Sequence, residues 1–154
     1  MQKHDFIQQA IDLALDNVRK KQGRPFGAVL VKDGKVIATG VNEILETHDP
    51  TAHAELQAIR KASQYLQTSR LTGCEVYASG QPCPMCLSAM HLSGIEAVYF
   101  AYSNEQATAF GLSTSSVYEQ MALPIDKQSL PIKQVEVPAA SEHPYEVWNT
   151  VQRK

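Results

Sequence analysis

Cysteine is scarce in this sequence, three among 154 residues, which excludes a disulfide-built secreted scaffold and suits a reducing compartment. No apolar run approaches the length needed to cross a bilayer, and the start MQKHDFIQQA has neither the apolar core nor the cleavage site of a signal peptide. A cytoplasmic setting without membrane attachment is expected. Charge of one sign is also missing: the net value is −2, with Lys and Arg spread along the chain, and the nearest cluster, Arg19-Lys20-Lys21, closes a helix where cations are favoured anyway. A nucleic-acid partner calls for a basic footprint, so a small free ligand is expected instead. Repeats, low-complexity tracts and linkers are absent, which leaves one domain spanning 1–154, long enough to bury about two-thirds of the surface its unfolded chain exposes. What remains is ordinary for a globular chain, 44% hydrophobic and 19% charged.

Against this plain background two short stretches stand out, His53-Ala54-Glu55 within PTAHAELQAIR and Pro82-Cys83-Pro84-Met85-Cys86. They offer one imidazole and two thiols, a donor set suited to zinc, and one carboxylate that is not needed to hold it. Three protein ligands leave a coordination position open, the arrangement of a hydrolytic site rather than a structural clip. Thiolate is the form that binds zinc, and Cys83 follows Pro82 at what reads as a helix start, where free backbone N–H groups favour negative charge. Cys83 and Cys86 lie three apart and share a helical face.

His53 and Glu55 are two apart, and inside a helix such residues point about 200° away from each other. They serve one site only near a first turn, and Thr51, just after Pro50, is the expected N-cap. Glu55 is then the candidate general acid and base, taking a proton from water and returning it to the group that leaves. The Cys-x-x-Cys pair also admits a redox role, or half of a four-ligand structural site with Cys74 as a third sulfur. Cys74 opens an alternating run with Val76 and Ala78, and reads as a small buried hydrophobe. His4, His91 and His143 have no partner at ligand spacing and read as surface residues; His48 is the one to watch, since its loop leads into the His53 helix.

The periodicity predicts an opening helix with apolar residues from Phe6 to Val18 and Asp5 as its cap, ended by Gly23 and Pro25. Phe26–Val31 and Val36–Gly40 form strands joined by a turn at Asp33-Gly34. A polar loop runs from Asn42 to Pro50, and the next helix buries Ala54, Ala58, Ile59 and Ala62. Then come a strand over Cys74–Ser79, a helix over Cys83–Leu92 and a strand over Ala97–Ala101, a crossover that suggests a parallel pair. A helix from Ser116 to Leu123, a fifth strand over Ile132–Val137 and a helix from Ser141 complete an α/β sandwich.

With these motifs, and with PFGAV at 25–29, Asn42, DPTAHAE at 49–55 and PCPMCL at 82–87, the chain resembles the cytidine and deoxycytidylate deaminase superfamily, and within it the nucleobase deaminases that act on guanine. The resemblance implies a three-layer α/β/α sandwich around a five-stranded mixed sheet, a homodimer, and one zinc per subunit held by His53, Cys83 and Cys86. It also implies that Phe26 stacks on the base, that Asn42 bonds its ring edge and that the backbone at Ala54 contacts a ring atom. A flat π-face and a side-chain amide are how proteins grip a single base. The stretch 111–116 departs from the guanine-deaminase pattern: Gly111-Leu112-Ser113-Thr114-Ser115 offers no carboxylate for an exocyclic amine, and Gln81 stands where relatives carry Glu. The expected reaction is hydrolysis of guanine to xanthine and ammonia. Cytosine, a triazine, a nucleoside or tRNA adenosine are alternative substrates, and an inactive zinc- or nucleic-acid-binding module is the alternative that is not an enzyme.

Overall fold

The computed structural model describes residues 2–152 and divides into a larger unit, residues 1–122, and a smaller one, residues 123–154. The larger unit begins with helix α1 (Lys3–Arg19), strand β1 (Gly27–Lys32) and strand β2 (Lys35–Val41), followed by a single turn α2 (Ile44–Thr47). Helix α3 (Ala54–Leu66), strand β3 (Cys74–Gly80), helix α4 (Pro84–Ser93) and strand β4 (Ala97–Tyr102) come next. Two short helices, α5 (Asn104–Thr108) and α6 (Ser115–Met121), close it.

The sheet runs β2-β1-β3-β4, with β1 antiparallel to both neighbours and β3 parallel to β4. The hairpin forms as its sequence dictates, because Asp33 and Gly34 both adopt positive φ, 52° and 73°, as a two-residue turn between twisted strands requires. Strand alternation then sorts the core into two layers. Ala28, Leu30, Ala38, Cys74 and Val76 face Ala54, Ala58 and Ala62 of α3 and Cys86 and Met90 of α4. Val29, Val31 and Tyr77 face Phe6 and Ala10 of α1. Helices on both faces make this the expected three-layer sandwich.

Small residues set how closely the layers approach. A Cβ on Gly40 of β2 would collide with the Ala54 carbonyl and come within 2.7 Å of the Ala58 nitrogen, so the first turn of α3 rests on bare strand backbone. Gly27 of β1 meets α1 in the same way, 2.8 Å from Leu13 Cβ. The buried face of α1 is Phe6, Ala10, Ala14 and Asn17, whereas Leu15 and Val18, apolar and expected inside, are more than two-fifths exposed. The helix starts one turn earlier than its apolar stripe suggests: Gln2 is the N-cap, and Asp5 sits inside, its carboxylate accepting from the Gln2 N–H at 2.9 Å.

The smaller unit holds a one-turn 3-10 helix (Ile125–Lys127) and helix α7 (Pro144–Gln152). The fifth strand expected over Ile132–Val137 is absent, so the sheet has four strands among the described residues, not five. The alternation of Ile132, Val135 and Val137 with polar residues mimics a half-buried strand, but a strand exists only where a neighbour completes its ladder, and Pro131 and Pro138 bracket a segment that has none. Gly40→Ala should cost about 1–3 kcal/mol through overpacking; urea unfolding of the variant against wild type measures it, and an unchanged midpoint would contradict the close-approach account.

Candidate functional site

Each of the two motifs ends a loop at a helix N-terminus. His53 is the N-cap of α3, with extended φ and ψ of −72° and 154°, and therefore lies outside the helix rather than in its first turn. That resolves the angular conflict with Glu55, which sits within the first turn: an N-cap side chain is not bound by the helical period, so both residues reach one point. Thr51 is not the cap. Its N–H and hydroxyl both donate to Asp49 Oδ1, at 2.8 and 2.7 Å, and these bonds hold the Asp49 carboxyl below its ordinary range. The resulting turn delivers His53.

Cys83 is likewise the N-cap of α4, with Pro84 at the first helical position, and its Sγ accepts from the Cys86 N–H at 3.5 Å. His53 Nδ1 lies 3.4 Å from Cys83 Sγ and 3.5 Å from Cys86 Sγ, and all three donor atoms fall within 4.8 Å of one another. One imidazole nitrogen and two sulfurs at that spacing fit one tetrahedral zinc with a corner left over. Cys83 is readied for it: hydrogen bonds from Cys86 and His53 lower its thiol to about 4, while the Cys86 thiol, whose proton Cys83 shares, is pushed up. His53 is raised by its bond to Cys83, and the charge of Arg24 opposes that shift. Cys74 is fully buried in the sheet core beside Val76, and is not part of the cluster.

Glu55 is 6% exposed, and burial raises its carboxyl to about 7. It lines a cavity of about 920 Å³ together with His53, Cys83, Phe26, Asn42 and Arg24. Phe26 is half-buried, its ring lying flush against the glycine position at Gly80, where an added Cβ would stand 3.2 Å away. Asn42 is 2% exposed, and its Oδ1 accepts from the Ile44 N–H at 3.2 Å. That bond orients the amide, so its Nδ2, without a protein partner among the described residues, is the group available to a ligand. Ala54 is buried against Gly40 and is not part of the cavity wall, and Cys86 is sealed behind Cys83. His48 is exposed in a left-handed conformation at the end of α2 and stands away from the wall; His4, His91 and His143 are exposed too.

The far wall brings together Gln81 and the 111–115 loop, both singled out in the sequence, with Asn104, which was not anticipated. Gln81 Oε1 accepts from the Asn104 N–H at 2.9 Å, and Asn104 Oδ1 in turn accepts from the Thr114 N–H and hydroxyl at 3.4 and 3.3 Å. The residue before the Pro-Cys motif thus pins α5 and, through it, the 111–115 loop. Tyr118 of α6 donates its hydroxyl to the Pro82 carbonyl, tying the other side of that loop to the same motif. Helix α5 had a readable signal, the capping box Ser103-x-x-Gln106, whose two reciprocal bonds measure 2.8 and 3.2 Å.

Comparison with known proteins agrees with this geometry. Residues 1–102 match the family described as the cytidine and deoxycytidylate deaminase zinc-binding region. The guanine deaminase of Bacillus subtilis is 38% identical over 156 aligned positions, which span 100% of this chain and 98% of that protein. An X-ray structure of guanine deaminase from the same organism superposes with a TM-score of 0.90 at 39% identity, covering 97% of this chain and 95% of that one. The tRNA-specific adenosine deaminase of Aquifex aeolicus is 48% identical over 77 residues, half of each chain. With an imidazole, two thiols and a spare carboxylate gathered at one cavity, and a family match across two-thirds of its length, this chain belongs to the cytidine and deoxycytidylate deaminase family and is a zinc-dependent deaminase.

Proposed function

We propose that the chain hydrolyses the amino group of a free nucleobase, guanine, releasing xanthine and ammonia. The observation that carries this reading is a buried carboxylate, Glu55, on the wall of a cavity that also presents His53 and Cys83 of the donor cluster and a flat aromatic ring. His53, Cys83 and Cys86 would hold zinc, which when bound would supply the Lewis acidity that makes water nucleophilic near neutral pH. Glu55, raised to about 7 by its burial, holds and yields a proton with equal ease around neutrality. It takes one proton of the attacking water and gives it to the ring nitrogen, then takes the second from the hydroxyl now on the ring carbon and gives it to the amine, which leaves as ammonia while the carbonyl forms. Phe26 stacks on the base, and Asn42 Nδ2 donates to an acceptor on the ring edge.

A guanine deaminase as full-length relative supports guanine over other rings, whereas the tRNA-deaminase match spans half the chain. The net charge of −2 without a basic cluster supports a small molecule over nucleic acid. We assign the chain to the cytoplasm, as a single deaminase domain that works as a homodimer; no helix among the described residues is long and apolar enough to cross a membrane.

Ammonia release from a panel of bases and nucleosides tests the proposal, with guanine expected to lead; silence from zinc-loaded protein with every member would refute it. Glu55→Gln should keep stoichiometric zinc and lose about 10²- to 10⁴-fold in kcat. Cys83→Ser and His53→Ala should lose metal and activity together, while Cys74→Ser retains both, as elemental analysis beside the assay would reveal. Asn42→Ala should act chiefly on KM, raising it about tenfold or more for the loss of one donor in the cavity.

A further inference from the structure

The deaminase reading leaves one charged side chain on the cavity wall without a role. Arg24 lies in the loop between α1 and β1, and its backbone is fixed from two sides: its carbonyl accepts from the Phe26 N–H at 2.8 Å and from Asn17 Nδ2 at 2.9 Å. Asn17 is itself buried, 2% exposed, and the same Nδ2 donates to the Asn42 carbonyl at 2.9 Å. One buried amide therefore ties the backbone of Arg24 to that of Asn42, a residue that already faces the ligand. The register between this cation and the ring-binding groups is set by the fold and not by a floppy loop.

The Arg24 side chain shares the cavity wall with Phe26, Asn42, His53 and Glu55, and makes no hydrogen bond or ion pair among the described residues. No Lys or second Arg lines the cavity, and no carboxylate other than Glu55 does. An exposed arginine is usually neutralised by a neighbouring acid or simply solvated at a convex surface; this one stands in a concave site, anchored and unpaired. The cavity, about 920 Å³ and partly open to solvent, falls within the range of about 300–1,000 Å³ typical of ligand sites. A planar guanidinium presents paired N–H donors that match the two oxygens of a carboxylate or phosphate.

We propose that Arg24 is a specificity-determining residue, and that beside free guanine the site takes larger rings with the same amino group, preferring those that carry an anionic oxygen substituent, phosphate or carboxylate, bound by its guanidinium, over their neutral counterparts. This rests on the deaminase reading of the same cavity and extends it: the aminated ring reacts as guanine does, and the anion is the handle that anchors the larger molecule. Arg24 takes no part in the chemistry.

Paired compounds test this on the full, zinc-loaded chain: guanosine against guanosine 5′-monophosphate for phosphate, and pterin against pterin-6-carboxylate for carboxylate, with guanine alongside. For wild type, Arg24→Gln and Arg24→Lys, kcat/KM is read from ammonia release and Kd from calorimetry with the corresponding deaminated products. The anionic member of at least one pair should be favoured by roughly ten- to a hundredfold in wild type, as charge-assisted hydrogen bonds allow. That ratio should fall toward parity in Arg24→Gln, recover in part in Arg24→Lys, and shrink with added salt. Which pair responds names the anion. Equal use of both members of each pair, or a preference that survives Arg24→Gln, overturns the proposal. Turnover of guanine without a charge preference overturns it alone; silence with every compound overturns the deaminase reading, and the product-binding ratios then still decide whether Arg24 reads charge.

Discussion

The absence of a side chain at Gly40 lets the first turn of α3 sit directly on the backbone of β2, and the position of the site depends on that contact. The carbonyl of Ala54, one residue past His53 and one before Glu55, occupies the space where a Cβ on Gly40 would be. With Ala54, Ala58 and Ala62 all fully buried, the helix descends as far as an all-alanine face permits. A second helix, α4, packs on the same side of the sheet through Cys86 and Met90. Two helix N-termini are thereby brought to one place, and each delivers its N-cap residue, His53 and Cys83, to a common point. The orphan N–H groups and dipoles of both helices face the same spot and favour the thiolates that a metal needs.

Burial does two different jobs around that point. For Cys83 it is overridden by hydrogen bonding, so that this thiol is readily ionised, whereas for Cys86 the bond to Cys83 and burial act together and push the thiol up. For Glu55 burial dominates, and the carboxyl is carried up to about 7. Within one cluster Cys83 is thus pushed down, ready to hold an ion as thiolate, and Glu55 is pushed up, ready to move a proton. The outer walls are fixed by polar threads rather than by packing: Asn17 joins the Arg24 loop to Asn42, and Gln81, Asn104 and Thr114 join the 111–115 loop to the cysteine motif.

Much of this was legible in the residues. The hairpin at Asp33-Gly34, the β3-α4-β4 crossover and the alanine face of α3 all follow from turn chemistry and periodicity, and the two motifs named their own donors. Other elements were not. Ile132–Val137 has the alternation of a strand and forms none, because pattern records which face a segment would bury and says nothing of whether a neighbour exists. Leu15 and Val18 are apolar yet largely exposed, while Asn17 is buried, because a polar side chain that satisfies two carbonyls belongs inside more than an apolar one without a surface to cover. Asn104 and Arg24 carry no local signal of a site.

The sequence by itself determined the donor set, the spare carboxylate and the order of the elements, since ligand chemistry and hydrophobic period are properties of residue type and spacing along the chain. Only the tertiary structure decided that His53 caps its helix instead of lying within it, that Glu55 is buried and so poised near neutrality, and that an unpaired Arg24 stands on the same wall as Asn42. Those facts depend on how far a helix sinks onto a sheet and on which distant backbone groups an amide can reach. Neither is encoded at any single position.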